Sequence, residues 1–190
     1  MSYEDGFAKK TGHIGETECD KFLKENGFNS VRPAGSDIGI DRIVSSMQYP
    51  GKSAKIQVKG RSQVENPRWF QLTVPGVQLR EAHARGQDLN ELWEKRIFMV
   101  DFWILVSILY NEIWIFPSQI IYQIAEANFP KYHTRRDNNY SQIYLNKNGN
   151  VEKKQKELNL DIYDVNGIQL FKKYNEYRNN ISLIHEFLNQ

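Results

Sequence analysis

The segment from Ile38 to Arg61 limits the possible folds of this chain more than any other. It contains two short arms rich in β-branched residues, Ile-Gly-Ile-Asp-Arg-Ile-Val and Ala-Lys-Ile-Gln-Val-Lys-Gly-Arg, with Tyr-Pro-Gly-Lys in the turn between them. Apolar and polar residues roughly alternate in each arm, and a Pro-Gly turn between two such arms predicts a β-hairpin. The fold must therefore contain a sheet, which excludes an all-helical architecture.

Three polar side chains of this hairpin are expected to meet. Asp41 lies near the start of the first arm, while Gln57 and Lys59 lie near the end of the second, two residues apart and hence on one face. A carboxylate, an amide oxygen and an ammonium group gathered at one place favour a metal-dependent centre over plain core packing. The alternatives are a solvated charge for Asp41 and an edge-strand face for the other two. Asp37, in the preceding loop, is the competing carboxylate.

Composition bounds the class of protein. The chain has 190 residues, 40% of them hydrophobic, which suits one well-buried core. The net charge is +2, from 25 basic and 23 acidic residues. A protein that coats nucleic acid without selectivity is usually far more basic, whereas local binding needs only a basic face. The single cysteine excludes a disulfide framework, and the four histidines show no metal-ligand spacing.

The sequence shows no membrane-spanning or secretory segment. No window approaches ~18 consecutive apolar residues, the length that a membrane helix needs. The first six residues have neither a basic head nor an apolar core, so they do not form a secretory signal. We therefore expect a cytoplasmic protein without a membrane partner.

The order of predicted elements implies a single α/β domain with a mixed sheet and helices on both sides. Residues 1–13 are polar and expected to be frayed. The predicted elements are a helix at 15–26 ending at Gly27, a strand at 28–32, the hairpin at 38–61, a strand at 68–74, a helix at 75–90, strands at 97–109 and 113–116, a helix at 118–128 capped by Ser118, a hairpin at 146–150 and a helix at 167–188. Residues 1–128 would form the core of the domain, and 129–190 a polar loop, the second hairpin and the C-terminal helix.

Several motifs of the first third resemble those of the PD-(D/E)xK nuclease superfamily. They are Gly15-Glu16, Gly27-Phe28, Arg32 with Gly35-Ser36, Asp41 and Gln57-Val58-Lys59. The archaeal Holliday-junction-resolvase-like branch has a helix glutamate, a strand aspartate and a Glu-x-Lys in the same order at similar spacings. Two positions depart from the pattern. Ile40 replaces a proline, which the family tolerates, and Gln57 replaces an acidic residue, as in some restriction and homing endonucleases.

The resemblance implies a restriction-endonuclease-like fold with a Mg²⁺ centre, in which Mn²⁺ can substitute. Asp41 would be the principal metal ligand, and the Gln57 amide oxygen and the Val58 carbonyl would be further ligands. Lys59 would orient the attacking water and offset charge near the phosphate. Glu16 would be a further ligand or a base, although the helix dipole alone also favours a glutamate in a first helical turn.

Two regions are expected to contact DNA. Arg61 and Arg68 lie near the proposed centre in sequence and are expected to contact phosphates. The segment 131–140 offers basic and amide side chains, of the types that contact phosphates and read base edges in the major groove. They are Lys131, Arg135, Arg136, Asn138 and Asn139. An ordinary solvated loop is the alternative for this segment.

These features predict a Mg²⁺-dependent endonuclease that cuts double-stranded DNA as a homodimer, with one centre per strand. A type II restriction endonuclease is the first choice, because amide-rich and aromatic segments can read bases and the modest charge disfavours a strongly basic resolvase. A homing endonuclease or a Holliday-junction-type resolvase on the same core is the alternative. A non-catalytic DNA-binding module is the alternative of another class, and Gln57 is its main indication.

Overall fold

The computed structural model describes residues 3–34, 39–62, 69–73, 84–86, 89–123, 140–144 and 175–190. The chain divides into two compact units. The first comprises Met1–Pro67, Ile97–Ile121 and Tyr177–Gln190, and the second comprises Arg68–Arg96 and Tyr122–Glu176. The predicted boundary between residues 128 and 129 lies outside the described residues.

The first unit begins with a long helix, α1 (Tyr3–Glu25). The expectation of fraying is wrong for residues 3–13, which are helical. The N-terminal half of α1 has a tertiary partner, since the Thr11 hydroxyl lies 2.9 Å from the Ser62 hydroxyl. Contacts of this kind stabilise a helix beyond what its polar sequence favours by itself.

Helix α1 ends at Glu25, and Gly27 terminates it in the left-handed conformation that was predicted for this glycine. Gly27 has a φ of +81°, the left-handed conformation that glycine adopts without a steric cost. The N–H of Phe28 donates to the carbonyl of Leu23 at 3.0 Å, and the N–H of Gly27 donates to the carbonyl of Lys24 at 3.1 Å. This pair of bonds is a Schellman motif, and it turns the chain into the first strand.

The described residues contain seven strands, five of which form a mixed sheet in the first unit. The strands are β1 (Asn29–Val31), β2 (Arg42–Ser45), β3 (Ser53–Arg61), β4 (Trp69–Thr73), β5 (Phe102–Ser107), β6 (Glu112–Pro117) and β7 (Tyr140–Tyr144). The five-stranded sheet has the order β1-β2-β3-β5-β6, in which β3 and β5 are parallel and the other neighbours are antiparallel. The predicted α/β class with a mixed sheet is confirmed.

Strands β2 and β3 form the predicted hairpin. Arg42 pairs with Ile56 and Ser45 pairs with Ser53, and Gly51 in the turn has a φ of +78°. Strand β3 lies in the middle of the sheet, so the alternative that Gln57 lies on an edge strand is wrong.

Apolar side chains bury both faces of the central strands. One face packs against α1 and the C-terminal helix α3 (Ser182–Leu188), in a cluster that includes Cys19, Leu23, Val44, Ile56, Val58, Ile104, Ile184 and Leu188. Alternate residues of β5 point to the other face, where Trp103 and Leu105 are buried as well. Burial of both faces explains why β5 reads as a continuous apolar run.

The predicted strand at 97–109 is shorter in the structure. Ile97 ends a helix, α2 (Leu89–Ile97), and β5 begins only at Phe102. The Trp103 indole N–H donates to the Ile97 carbonyl at 3.2 Å, and a 3₁₀ turn follows β5. An apolar run buried in a helix end has the same pattern as a buried strand, so the sequence could not separate them.

Residues 175–188 are the described part of the helix predicted at 167–188, and within them only Ser182–Leu188 is an α-helix. Asn179 has a φ of +51°, and Arg178 forms an antiparallel bridge with Trp114 of β6. The chain thus pairs with the sheet edge before the helix begins. Residues 167–174 lie outside the described residues.

The remaining predictions have mixed outcomes. The strand predicted at 68–74 is confirmed as β4, which pairs with β7 in the second unit. Residues 118–123 are helical as predicted, and the Ser118 hydroxyl donates to the Val100 carbonyl at 2.5 Å. The hairpin predicted at 146–150, and most of the helix predicted at 75–90, lie outside the described residues.

Among the residues that the structure describes, no helix has both the length and the apolar character needed to cross a bilayer.

Candidate metal centre at the hairpin

Asp41 joins the two arms of the hairpin. It immediately precedes β2, and its backbone N–H donates to the Ile56 carbonyl at 2.9 Å. Its carboxylate accepts hydrogen bonds from the backbone N–H of Val58, at 2.8 Å, and from the Gln57 side-chain amide. The predicted meeting of Asp41 and Gln57 is therefore observed, with Val58 between them.

The Asp41 carboxylate is poorly solvated. Burial raises the pKa of Asp41 above its ordinary value, although the hydrogen bond from Val58 and the positive charge of Lys59 favour the carboxylate. A carboxylate that has lost water contacts, and whose negative charge its neighbours neutralise only in part, is suited to bind a cation. The cation supplies the stabilisation that water no longer provides.

The side-chain amide of Gln57 bears on whether a metal ion fits beside Asp41. Its side chain is buried, and its amide nitrogen faces Asp41 and, at 3.5 Å, the Val58 carbonyl. Its side-chain oxygen is buried and has no hydrogen-bond partner among the described residues. Leaving such an acceptor without a partner costs about 1–3 kcal/mol. Rotation of the terminal amide by about 180° would exchange its nitrogen and its oxygen, and this oxygen would then face Asp41 and a cation bound beside it.

The possible donors are hard oxygens. Among the described residues, no group of three or more His, Cys, Asp or Glu side chains is arranged to hold a metal. An ion here would instead combine the Asp41 carboxylate with the Gln57 amide oxygen and the Val58 carbonyl. Carboxylate and carbonyl oxygens are ligands that Mg²⁺ accepts while it keeps several of its waters. The donor set therefore fits Mg²⁺.

Lys59 adds a positive charge beside these oxygens. It lies two residues after Gln57 on β3 and projects from the same face. Its ammonium nitrogen is 6.0 Å from the centroid of the Trp103 ring, on the neighbouring strand β5. The positive charge of Lys59 partly offsets the rise that burial causes in the pKa of Asp41.

Glu16 reaches the hairpin from α1, and its contact is with Arg42. The Arg42 Nη1 atom lies 3.0 Å from the Glu16 Oε2 atom. The negative charge of Glu16 raises the pKa of Asp41, so Glu16 is electrostatically part of the centre. The structure thus brings the four predicted catalytic side chains to one region, and Glu16 is bound there to Arg42. The four are Glu16, Asp41, Gln57 and Lys59.

Two residues of this region, Arg42 and Asp20, were not predicted. Arg42 is buried, and it donates from Nε and Nη2 to the two carboxylate oxygens of Asp20 at 2.7 and 2.8 Å. Burial alone would raise the pKa of Asp20, but the bonds from Arg42 and Ser30 hold it below its ordinary value.

The sequence did contain a signal for this pair. Glu16 and Asp20 are four residues apart, on one face of α1. Arg42 alternates with Val44 on the inward face of β2, where a charged residue requires partners.

Most predicted DNA contacts cannot be placed. Arg61 lies at the end of β3, half-buried, two residues beyond Lys59. Outside the described residues lie Asp37, Arg68, Lys131, Arg135, Arg136, Asn138 and Asn139. Of the histidines, His185 contacts the Tyr49 hydroxyl at 3.2 Å, at a position remote in sequence from the predicted site.

No protein-family model matches the chain, and no curated protein matches its sequence. The chain is similar in structure to the bacterial homing endonuclease I-Ssp6803I, with a TM-score of 0.46 and 15% sequence identity over 94% of this chain and 92% of that chain. At this degree of likeness, we infer the function of the chain from its own residues.

Proposed function

We propose that this chain is a Mg²⁺-dependent DNA endonuclease of the PD-(D/E)xK type. The observation that carries the proposal is the junction of Asp41, Gln57 and Val58: the poorly solvated Asp41 carboxylate contacts the Gln57 amide group, whose buried oxygen has no hydrogen-bond partner among the described residues. Lys59 on the same face supplies the ammonium group that phosphodiester hydrolysis needs next to the metal.

Each residue would have a separate role in hydrolysis. Asp41, the Gln57 amide oxygen and the Val58 carbonyl would hold Mg²⁺, and Glu16 would complete the acidic set directly or through water. When bound, the ion would polarise the phosphate and lower the pKa of a coordinated water. Lys59 would orient the attacking water and offset the negative charge that develops on the phosphate.

We further propose that the substrate is double-stranded DNA and that the enzyme acts as a homodimer. A type II restriction endonuclease remains the first choice, for the reasons given from the sequence. Incubation of plasmid DNA with Mg²⁺ is the direct test. A restriction enzyme is expected to cut at several short sites and give discrete bands. A homing enzyme is expected to cut rarely, at a single long site. Cleavage confined to four-way junctions would identify a resolvase.

The role of Lys59 can be tested against a matched lysine. Lys59→Ala should lower the cleavage rate by about 10²–10⁴-fold, because the water loses the group that orients it. Binding of DNA in Ca²⁺, measured by a gel-shift titration, should persist. Lys55→Ala is the control, because Lys55 lies four residues earlier on the same strand and face with an exposed side chain.

Two outcomes would count against the proposal. Full cleavage by the Lys59→Ala variant would show that the chemistry occurs elsewhere. Tight binding by the wild-type protein, without cleavage in either Mg²⁺ or Mn²⁺, would favour a non-catalytic DNA-binding module.

A further inference from the structure

The guanidinium group of Arg42 links two acidic residues of α1 to the backbone of Asp41. From Nε and Nη2, Arg42 donates to both carboxylate oxygens of Asp20. From Nη1 it reaches Glu16 at 3.0 Å and donates to the backbone carbonyl of Asp41 at 2.7 Å. Its side chain is only 9% exposed. These contacts join α1 to the first residue of the centre.

The anchor of this guanidinium is itself held in place. Asp20 accepts a third hydrogen bond, from the Ser30 hydroxyl at 2.7 Å. Ser30 lies on β1, which pairs with β2. Asp20 is thus bound from two neighbouring strands, and the plane of the Arg42 guanidinium is set by its two bonds to Asp20.

A general contribution to stability does not account for an arginine at this position. Breaking a buried ion pair is costly, but apolar residues of similar size often stabilise a fold as well or better. Arg42 occupies an inward position next to Val44, where an apolar side chain would extend the core. What an arginine provides here, and an apolar residue would not, is a geometric link. Its Nη1 atom contacts both the Glu16 carboxylate and the Asp41 carbonyl, and so holds them close together.

We propose that Arg42 is the positioning residue of the metal centre. It fixes the side chain of Glu16 relative to the backbone of Asp41, and Asp20 fixes the guanidinium group of Arg42. The inference rests on the proposed function, because it assigns Arg42 to the metal site described above. A guanidinium fork makes these bonds simultaneously, whereas an ammonium group at the same place cannot reach all three partners. Charge alone should therefore not replace Arg42.

The test measures metal binding apart from cleavage. Mn²⁺ is titrated into the full-length protein without DNA, and unbound Mn²⁺ is quantified by electron paramagnetic resonance. Arg42→Lys retains the positive charge and should weaken Mn²⁺ binding by about 10–100-fold, as expected for partners that orient metal ligands. In Mg²⁺, kcat for DNA cleavage should fall while KM for DNA is unchanged.

Arg178→Lys is the matched control. Arg178 pairs with the buried Glu112 at 2.8 Å, in the same unit but on the far edge strand β6. This variant also loses an arginine–carboxylate pair, yet it should bind Mn²⁺ as the wild type does. All assays are run below the unfolding temperature of each variant, measured without metal.

Each result decides between the possibilities. Wild-type Mn²⁺ affinity in Arg42→Lys would overturn the assignment, and so would equal losses in Arg42→Lys and Arg178→Lys. If Arg42→Lys does not fold, Asp20→Asn replaces it. That variant keeps Arg42 but weakens its anchor, so binding should weaken in the same direction, and unchanged binding would overturn the inference. A wild-type protein that binds no Mn²⁺ refutes the proposed function as well.

Discussion

At the scale of single residues, the burial of the Asp41 carboxylate costs the folded state stability. The Asp41 carboxylate is buried enough that its pKa is raised, so its ionised form is less favourable in the folded protein than in the unfolded chain. Ionisable groups with a pKa shifted by burial are concentrated at functional sites, where they bind ligands or take part in reactions.

This cost predicts the effect of Asp41→Asn on stability. The raised pKa means that the penalty is complete above the folded-state pKa and absent below the unfolded value of about 3.9. Asp41→Asn keeps an acceptor for the Val58 N–H, so it should raise Tm at pH 8 and abolish cleavage. Each kcal/mol corresponds to roughly 2–4 °C for a chain of this size. Thermal unfolding from pH 8 to pH 4, without metal, should show the gain shrinking as the pH falls.

Asp20→Asn is the comparison of opposite sign. The pKa of Asp20 is lowered, so its carboxylate stabilises the folded state above the unfolded value of about 3.9, and this contribution is lost as the pH falls through the folded-state pKa. Asp20→Asn should therefore lower Tm at pH 8. A gain in stability there, or a loss for Asp41→Asn, would contradict the electrostatic account of the centre.

At the scale of secondary-structure elements, two glycines set the distance between α1 and β3. A Cβ atom on Gly60 would lie 2.8 Å from the Thr11 carbonyl oxygen and 3.0 Å from the Gly15 Cα atom. Backbone atoms therefore touch where other residues would separate the two elements. Gly15 precedes Glu16 and Gly60 follows Lys59, so this contact brings two residues of the candidate centre toward each other.

Gly60→Ala tests this close approach. The added methyl group should displace α1, lowering the free energy of unfolding by about 1–3 kcal/mol and reducing cleavage. Gly12→Ala is the control on the same helix, because a Cβ there meets no atom within 4 Å. An alanine inside a helix is favoured over glycine, so this variant should be about 0.5–1 kcal/mol more stable. Urea denaturation of the two variants measures both changes, and equal effects would exclude the role of the contact.

At the scale of the whole molecule, all four residues of the candidate centre belong to the first compact unit. One centre cuts one strand, so a double-strand break requires two centres. This is the reason for proposing a homodimer.

Mixed dimers test this stoichiometry. Wild-type enzyme should sediment as a dimer and convert supercoiled plasmid directly to the linear form. Dimers of one wild-type and one Lys59→Ala subunit should accumulate nicked circles, because only one centre is active. Sedimentation of the wild type as a monomer, or nicked circles as its main early product, would contradict the dimer.

Local patterns in the sequence were sufficient for the hairpin and for three residues of the centre. The two-residue period of a strand places Gln57 and Lys59 on one face, and a hairpin with a turn at Gly51 must bring Asp41 beside them. The helix end at Gly27 was equally predictable, because it depends on a few neighbouring residues. These features need no knowledge of distant parts of the chain.

Only the tertiary structure decided the surroundings of that centre. The N-terminal half of α1 contacts Ser62, the chain before α3 pairs with β6, and Arg42 of β2 binds Asp20 of α1, 22 residues away in sequence. Such contacts form only once distant helices and strands pack together. The helix and strand propensities of neighbouring residues do not say which elements will pack. The sequence by itself determined that Asp41, Gln57 and Lys59 would lie together, while the packing of α1 on the sheet decided that Arg42 would bind Glu16 and Asp20 next to them.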